Sequence, residues 1–432
     1  MLCDIPPEIV SEIASHLPYR DIVTLRQVFT HEDLRNATDA HVVWLNLAKQ
    51  YVTENPHSHF SNIQSISSLT TDQIRERFEK RLLVDHLWQS PGKVYPTMKR
   101  LKKPSPRMIT VGIAPGGRWL FAGTDYCSLY YWDLESDDPE PVHLVPFDDD
   151  VDNTPGEGYT ITAIDFLVEH GDPLSGFIIA FIGRDFHREH KESGEWLYIW
   201  DVVPQDASGT LKAKRLRTLP LPYHGSTSRF SFNDHLVART MTKRLDVYWW
   251  RDCTETRLVR CTLVLETDPI ITSVYVIGSD KLLVYTRHHD QHKAQLYALE
   301  PEYSDVSETG KAVSHATEIW SFRFCSEYKG YKISRLYFDG ASYRQIIAMI
   351  DGIYSLTIPA SQADGVTLTK VSNFDLHQRQ SDARLYGLGL NKGCCRVGTE
   401  LYRFGYSNAL TSGSYEHGVM FEAGIDPFLR RL

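Results

Sequence analysis

The chain of 432 residues is 42% hydrophobic and 23% charged, proportions of a folded globular protein that exclude wholesale disorder. Its charge is uneven: residues 1–108 hold 14 Lys and Arg against 12 Asp and Glu, and the remainder holds 32 against 43, so the larger part is acidic and general binding to a nucleic-acid backbone is not expected. The seven cysteines (Cys3, Cys127, Cys253, Cys261, Cys325, Cys394, Cys395) are odd in number and contain no Cys-x-x-Cys pair, the pattern of reduced thiols rather than of a disulfide framework or a zinc site.

No apolar run approaches the ~18 residues of a membrane helix, and the start of the chain lacks the basic, apolar and small-residue succession of a secretory signal. The expected location is therefore cytoplasmic and/or nuclear. Length favours one small domain beside one large one.

Pro6 and Pro7 suit the first turn of a helix, and Glu8 puts negative charge near its start. Ile9, Val10, Ile13, Ala14 and Leu17 follow at helical spacing until Pro18 stops the run. Asp21 is the expected cap of a second helix with Ile22, Leu25, Val28 and Phe29 on one side. A polar connection, Thr30 to Asp39, leads to a third helix with Val43, Trp44, Leu47 and Tyr51. Three such helices have little interior, and a domain so small usually needs a partner to cover its apolar faces.

In order and spacing these residues resemble an F-box, the docking domain of substrate receptors in SCF-type cullin-RING ubiquitin ligases. The resemblance implies that Ile5, Pro6, Ile9, Ile13, Leu17, Ile22, Leu25 and Val28 form the core and the face that meets the SCF adaptor, and through it cullin. The chain departs from the family after Val28, where Phe29-Thr30-His31-Glu32-Asp33 stands in place of Cys and basic residues.

A Ser/Thr/Asn-rich loop over 58–71 precedes a further helix, 72–88, capped by Thr71 or Asp72. Ile74, Phe78, Leu82 and Leu83 line its inner face, with Arg75/Glu79 and Glu76/Lys80 as surface pairs. Residues 89–107 are rich in Pro and positive charge. Lys99, Arg100, Lys102 and Lys103 are candidates for a nuclear import signal or a phosphate-contacting arm, against the plainer reading of a solvated linker. The domain division is then 1–50 helical box, 51–88 linker helix region, 89–107 basic linker and 108–432 β domain.

Beyond Arg107 the periodicity changes to short β-rich runs in groups of three, as in Ile109 to Ala114, Trp119 to Asp125 and Ser128 to Asp133. First strands recur near 109, 160, 228, 271 and 334, with a last copy near 385, and the intervals bracket the ~40 to 50 residues of a propeller blade with insertions. Trp132-Asp133 and Trp200-Asp201 end the third strands of the first two groups. At these positions the region resembles WD-repeat propellers, without their Gly-His signature; six or seven blades fit, and seven is favoured. The fold class is thus multidomain: a small all-α box with a linker helix, then an all-β propeller.

No catalytic constellation stands out, and neither cofactor nor metal is expected. His288, His289 and His292, and His187 with His190, fall in expected loops and lack the helix and Glu of a zinc hydrolase. The acidic run from Glu135 to Asp152 can hold a cation or a basic partner, or be a solvated loop. Cys394-Cys395 is assigned to a buried strand. The reading is a non-catalytic receptor that holds an unknown protein target for ubiquitin transfer. Its rivals are an adaptor-bound scaffold outside any ligase and a propeller enzyme with a hidden pocket.

Overall fold

The computed structural model describes residues 5–28, 32–54, 69–89, 101–104, 106–114, 117–126, 128–145, 159–167, 176–185, 195–205, 210–222, 229–241, 244–254, 257–265, 269–288, 291–305, 316–325, 332–338, 341–349, 352–361, 365–372, 384–388, 392–397, 400–405 and 420–423. The helices among them are α1 (Pro7–Ser15), α2 (Tyr19–Val28), α3 (Glu32–Thr38), α4 (His41–Glu54) and α5 (Thr71–Gln89).

Two helix starts differ from the sequence expectation. Helix α2 begins directly after Pro18, whose carbonyl accepts the N–H groups of Asp21 and Ile22 at 3.0 and 3.2 Å, so Asp21 lies in the first turn and is not the cap. In α5 the cap is Thr70: its Oγ1 accepts the Gln73 N–H at 3.4 Å while Gln73 Oε1 accepts the Thr70 N–H at 2.9 Å, a reciprocal capping box. Helix α3 occupies what the sequence reads as a polar connection. It buries Ala37 and Thr38 and shows Glu32, Asp33, Arg35 and Asn36 outward, which left little apolar period to detect.

Helices α1, α2, α4 and α5 share one core of Ala14, Ile22, Val43, Trp44, Leu47, Ala48, Tyr51, Ile74 and Phe78. Phe78 meets Trp44, Tyr19 and Tyr51 edge-on or nearly so, at ring distances of 6.3, 5.5 and 5.8 Å. Helix α4 runs across position 50, and α5 is an integral wall of the helical unit.

The β region is built of antiparallel sheets taken up in chain order. The first holds β1 (Met108–Ile113), β2 (Trp119–Thr124), β3 (Leu129–Asp133) and β4 (Val142–Val145). The second holds β5 (Tyr159–Leu167), β6 (Phe177–Asp185), β7 (Glu195–Pro204) and β8 (Leu211–Leu221). The third holds β9 (Arg229–Phe232), β10 (Leu236–Met241), β11 (Arg244–Trp249) and β12 (Arg257–Val264); the fourth, β13 (Ile270–Ile277), β14 (Lys281–His288), β15 (Gln291–Leu299) and β17 (Ala316–Cys325). Between β15 and β17 the chain gives β16 (Glu302–Asp305) to the third sheet, where it pairs with β12. The fifth contains β18 (Lys332–Ile333), β19 (Tyr337–Phe338), β20 (Ser342–Met349), β21 (Gly352–Pro359) and β22 (Thr367–Ser372). The sixth contains β23 (Arg384–Leu388), β24 (Lys392–Val397), β25 (Glu400–Gly405) and β26 (Met420–Ala423).

First strands lie side by side from sheet to sheet: β1 on β5, β5 on β9, β9 on β13, and β18 on β23. The apolar cores fill the spaces between consecutive sheets, with Phe121 and Phe177 between the first and second, and Leu197, Val247 and Val284 running from the second to the fourth. That radial order of meanders resembles a propeller. Close approach is built into the first junction: a Cβ on Gly123 of β2 would lie 2.6 Å from Ile161 of β5. Six sheets are described, and a seventh blade has no counterpart among the described residues.

The expected strand groups recur with two changes. Each group has a fourth, outer strand that the sequence reading left in loops. Trp200-Asp201 also does not end its strand, because β7 continues to Pro204.

Candidate docking interface

Helix α1 splits its apolar residues between two faces. Val10 and Ala14 are 6% and 1% exposed, whereas Ile9 and Ile13, one helical step round, are 51% and 50% exposed. The apolar arc is wider than the core it serves, so half of it meets water. Pro6 is exposed before α1, and Val28 at the end of α2 is 66% exposed. Ile5 and Leu25 are half-buried against Val10 and Ala37, and Leu17 is half-buried against the aromatic core. Ile22 is fully buried and serves the core; it offers no docking surface. The eight residues singled out from the sequence therefore separate into an outward group (Pro6, Ile9, Ile13, Val28), a bordering group (Ile5, Leu17, Leu25) and Ile22.

What holds the outward stripe in place is a carboxylate the sequence reading passed over. Asp39, between α3 and α4, accepts two hydrogen bonds from Arg26 of α2 at 2.6 and 2.8 Å and one from Arg75 of α5 at 3.3 Å. The Trp44 indole N–H reaches the same carboxylate at 3.4 Å. A bidentate Arg fixes orientation as well as distance, so Asp39 ties three helices to one geometry. Ser11 adds a tie from α1: its hydroxyl lies 2.8 Å from the Ala37 carbonyl and 3.0 Å from that of Pro7.

The expected surface pairs of α5 are revised by these contacts. Lys80 does pair with Glu76 at 3.2 Å, but Arg75 turns to Asp39 and Asp72, and Glu79 accepts from the Tyr19 hydroxyl at 3.4 Å. Burial, and then the Glu79 carboxylate, push the Tyr19 phenol above its ordinary range. Leu83 faces outward at 57% exposure, while Ile74 and Phe78 are buried and Leu82 is partly so.

The acidic run and the basic linker meet. Lys80 of α5 lies 3.3 Å from Glu135, Lys102 lies 3.6 Å from Asp138 and bonds Glu140, and the Trp132 indole N–H donates to the Lys102 carbonyl at 3.1 Å. Glu140 first, with Asp138, holds the Lys102 ammonium above its ordinary range. Asp133 accepts Arg118 through contacts of 2.7 and 3.1 Å, and Glu135 N–H donates to Asp133 at 3.0 Å. The first Trp-Asp pair thus fastens the linker to the first sheet. Lys99, Arg100 and residues 146–152 lie outside the described residues.

The other chemical candidates do not assemble a centre. His288 and His292 sit in strands, not in a loop. His292 is 6% exposed and stacks on Phe324 at 5.6 Å, and burial, then Arg287, lower its pKa. His289, His187 and His190 lie outside the described residues. No group of three potential metal ligands occurs among the described residues. Cys394 and Cys395 belong to β24, and their side chains lie outside the description.

Against this geometry, a model of the F-box domain family matches residues 2–31. The chain thus carries an F-box domain at its N-terminus, followed by an all-β region with the sheet arrangement of a propeller. No curated protein matches it. Among solved structures it is similar to the Cps50 (Swd1) β-propeller domain of Myceliophteria thermophila, at 14% identity and a TM-score of 0.38 over 75% of this chain and 90% of that one. It is also similar to a chain of the Mitotic Checkpoint Complex, at 11% identity and a TM-score of 0.35 over 73% and 86%. No helix among the described residues is long and apolar enough to cross a membrane.

Proposed function

We propose that the protein is a non-catalytic substrate-recognition subunit of an SCF-type cullin-RING ubiquitin ligase. The observation that carries this is the half-buried apolar arc of α1 inside the segment matched as an F-box: Ile9 and Ile13 stand at about half exposure on a helix whose adjacent face is already core. Burying the exposed half of each by a partner groove would contribute roughly 1 kcal/mol apiece. The face is taken by the SCF adaptor, with Pro6, Ile9, Ile13 and Val28 in contact and Ile5, Leu17 and Leu25 at its border. The β region holds the protein target. The ligase gains from tethering, which raises the effective concentration of a target lysine near the loaded conjugating enzyme.

The experiment is co-purification from cells of the full chain and of a version lacking residues 1–50. The full chain is expected to bring down adaptor and cullin, and the truncated version neither, with a target protein accumulating when the truncated version replaces the full chain. Adaptor without cullin would reduce the reading to a scaffold, and no adaptor would end it.

A further inference from the structure

Blade edges are where this fold exposes unpaired backbone, and the third sheet shows how the chain treats one. Its fourth strand, β12, carries Arg257 and Arg260, and its outer edge is covered by β16, whose sequence Glu302-Tyr303-Ser304-Asp305 begins and ends with an acid. The pairing is antiparallel and sets Arg257 against Asp305 and Arg260 against Glu302, with the Arg257 guanidinium 4.1 Å from the Tyr303 ring centroid. An acidic extended segment has been added to a basic edge.

The second sheet has a like edge with no such covering strand among the described residues. Its fourth strand, β8, has 11 residues and pairs with β7 alone among the described residues. Lys212, Lys214, Arg215 and Arg217 are all exposed, and β8 contains no acid. The register sets Lys212 against Val203, Lys214 against Asp201 and Arg217 against Ile199, with Leu216 bulged out of the ladder. Residues 199, 201 and 203 alternate along β7, so Lys212, Lys214 and Arg217 project from one face of the sheet, the face that further along buries Leu219 and Leu221. Lys side chains on an edge also discourage self-association, and a second copy of β8 would meet its own charge here. The counterpart strands β4, β17, β22 and β26 carry no such block: β4 has no Lys or Arg, and β17 mixes Glu318 with Arg323. In a β region with a net excess of acid, this edge concentrates positive charge along backbone that no second strand among the described residues pairs; at its start the Leu211 N–H donates to the Tyr131 hydroxyl at 3.0 Å.

We propose that β8 is a docking edge for an extended acidic peptide of a partner protein, which adds antiparallel to it as β16 adds to β12. Alternate acidic side chains of the peptide meet Lys212, Lys214 and Arg217, while its backbone completes the ladder. This rests on the sheet alone and stands whether or not the F-box docks to an adaptor.

The test uses the full chain and a fluorescent peptide of alternating Glu and Val, followed by anisotropy and by hydrogen exchange. The expected result is salt-sensitive binding, slowed exchange confined to amides of β8, and binding at least about tenfold weaker in Lys214→Glu/Arg217→Glu with the thermal transition unchanged. The milder Lys214→Gln/Arg217→Gln serves if charge reversal prevents folding. Failure to bind, binding that leaves β8 exchange unchanged, or tighter binding of single-stranded DNA than of the peptide would each overturn the proposal. Binding that emerges only after Asp148, Asp149, Asp150 and Asp152 are replaced by Asn would overturn it as well, by giving the edge to the chain's own acidic run.

Discussion

Arg239 of β10 has no exposed side-chain atom, and it is held across a sheet junction by Glu195 of β7 at 2.6 Å and by Asp246 of β11 at 3.2 Å. Asp246 also accepts from Arg244 at 2.8 Å and from the Thr262 hydroxyl at 2.9 Å. Burial works to raise the Asp246 pKa, but Arg239 and then Arg244 hold it below the ordinary carboxylate value. Its contribution to stability is therefore present above that ordinary value and lost as pH falls through the lowered one. Removing the cation takes the guanidinium from the buried Glu195 carboxylate and leaves Asp246 to Arg244 and Thr262, so Arg239→Met should cost about 3–5 kcal/mol, read as a lower urea midpoint. Asp165 of β5 behaves oppositely. Burial raises its pKa from 3.8 to about 6, against the N–H groups of Phe166 and Phe232 and the charge of Arg335. Its favourable contribution is fully present below 3.8 and is lost as pH rises through about 6. The melting-temperature difference between wild type and Asp165→Asn should accordingly shift against wild type between about pH 4 and pH 7; a constant difference would contradict the assignment. Neither group was visible in the sequence, because partners 44 positions apart, as Glu195 and Arg239 are, are brought together only by packing between sheets.

Among the elements, those with a strong local period were legible and those without one were not. Helices α1, α4 and α5 and the first strands of five sheets lie where apolar spacing puts them, whereas the strand expected from 334 is split into β18 and β19. Helix α3 is mostly polar, and outer strands such as β8 and β22 interleave polar and charged residues with apolar ones and rely on neighbours for their pairing. The Thr70 cap is a local feature with a measurable cost: Thr70→Ala should lower stability by about 1 kcal/mol, since one hydroxyl acceptor at an α5 terminal N–H is lost. Phe78→Ala, which empties the centre of the aromatic core, should cost about 3–5 kcal/mol. The outward stripe was legible only as a set, because periodicity places Ile22 and Ile9 alike on apolar faces, and three-dimensional packing decides which one faces water.

For the whole molecule, the decisive arrangement is that the helical unit and the first sheet are fastened together. Lys80 with Glu135, Lys102 with Asp138 and Glu140, and the Trp132 indole on the Lys102 carbonyl span the connection. The ion pairs are more than half exposed at their lysines, so each adds little to stability and is weakened by salt. Their role is orientation. Replacing Glu135 and Glu140 with Lys should broaden the distance distribution between spin labels on α4 and β12 while leaving the melting temperature nearly unchanged. An unaltered distribution would mean that these ion pairs do not set the geometry. The proposed receptor role needs such a fixed span, because an adaptor would hold one end and a target would be presented from the other.

The proposed adaptor contact depends on the outward face of α1. The most direct measurement is calorimetric titration of the full chain with the SCF adaptor, wild type beside Ile9→Asp/Ile13→Asp, with melting curves for both. Wild type is expected to bind tightly and the variant not measurably, at unchanged melting temperature. Equal affinity of the two proteins would contradict it.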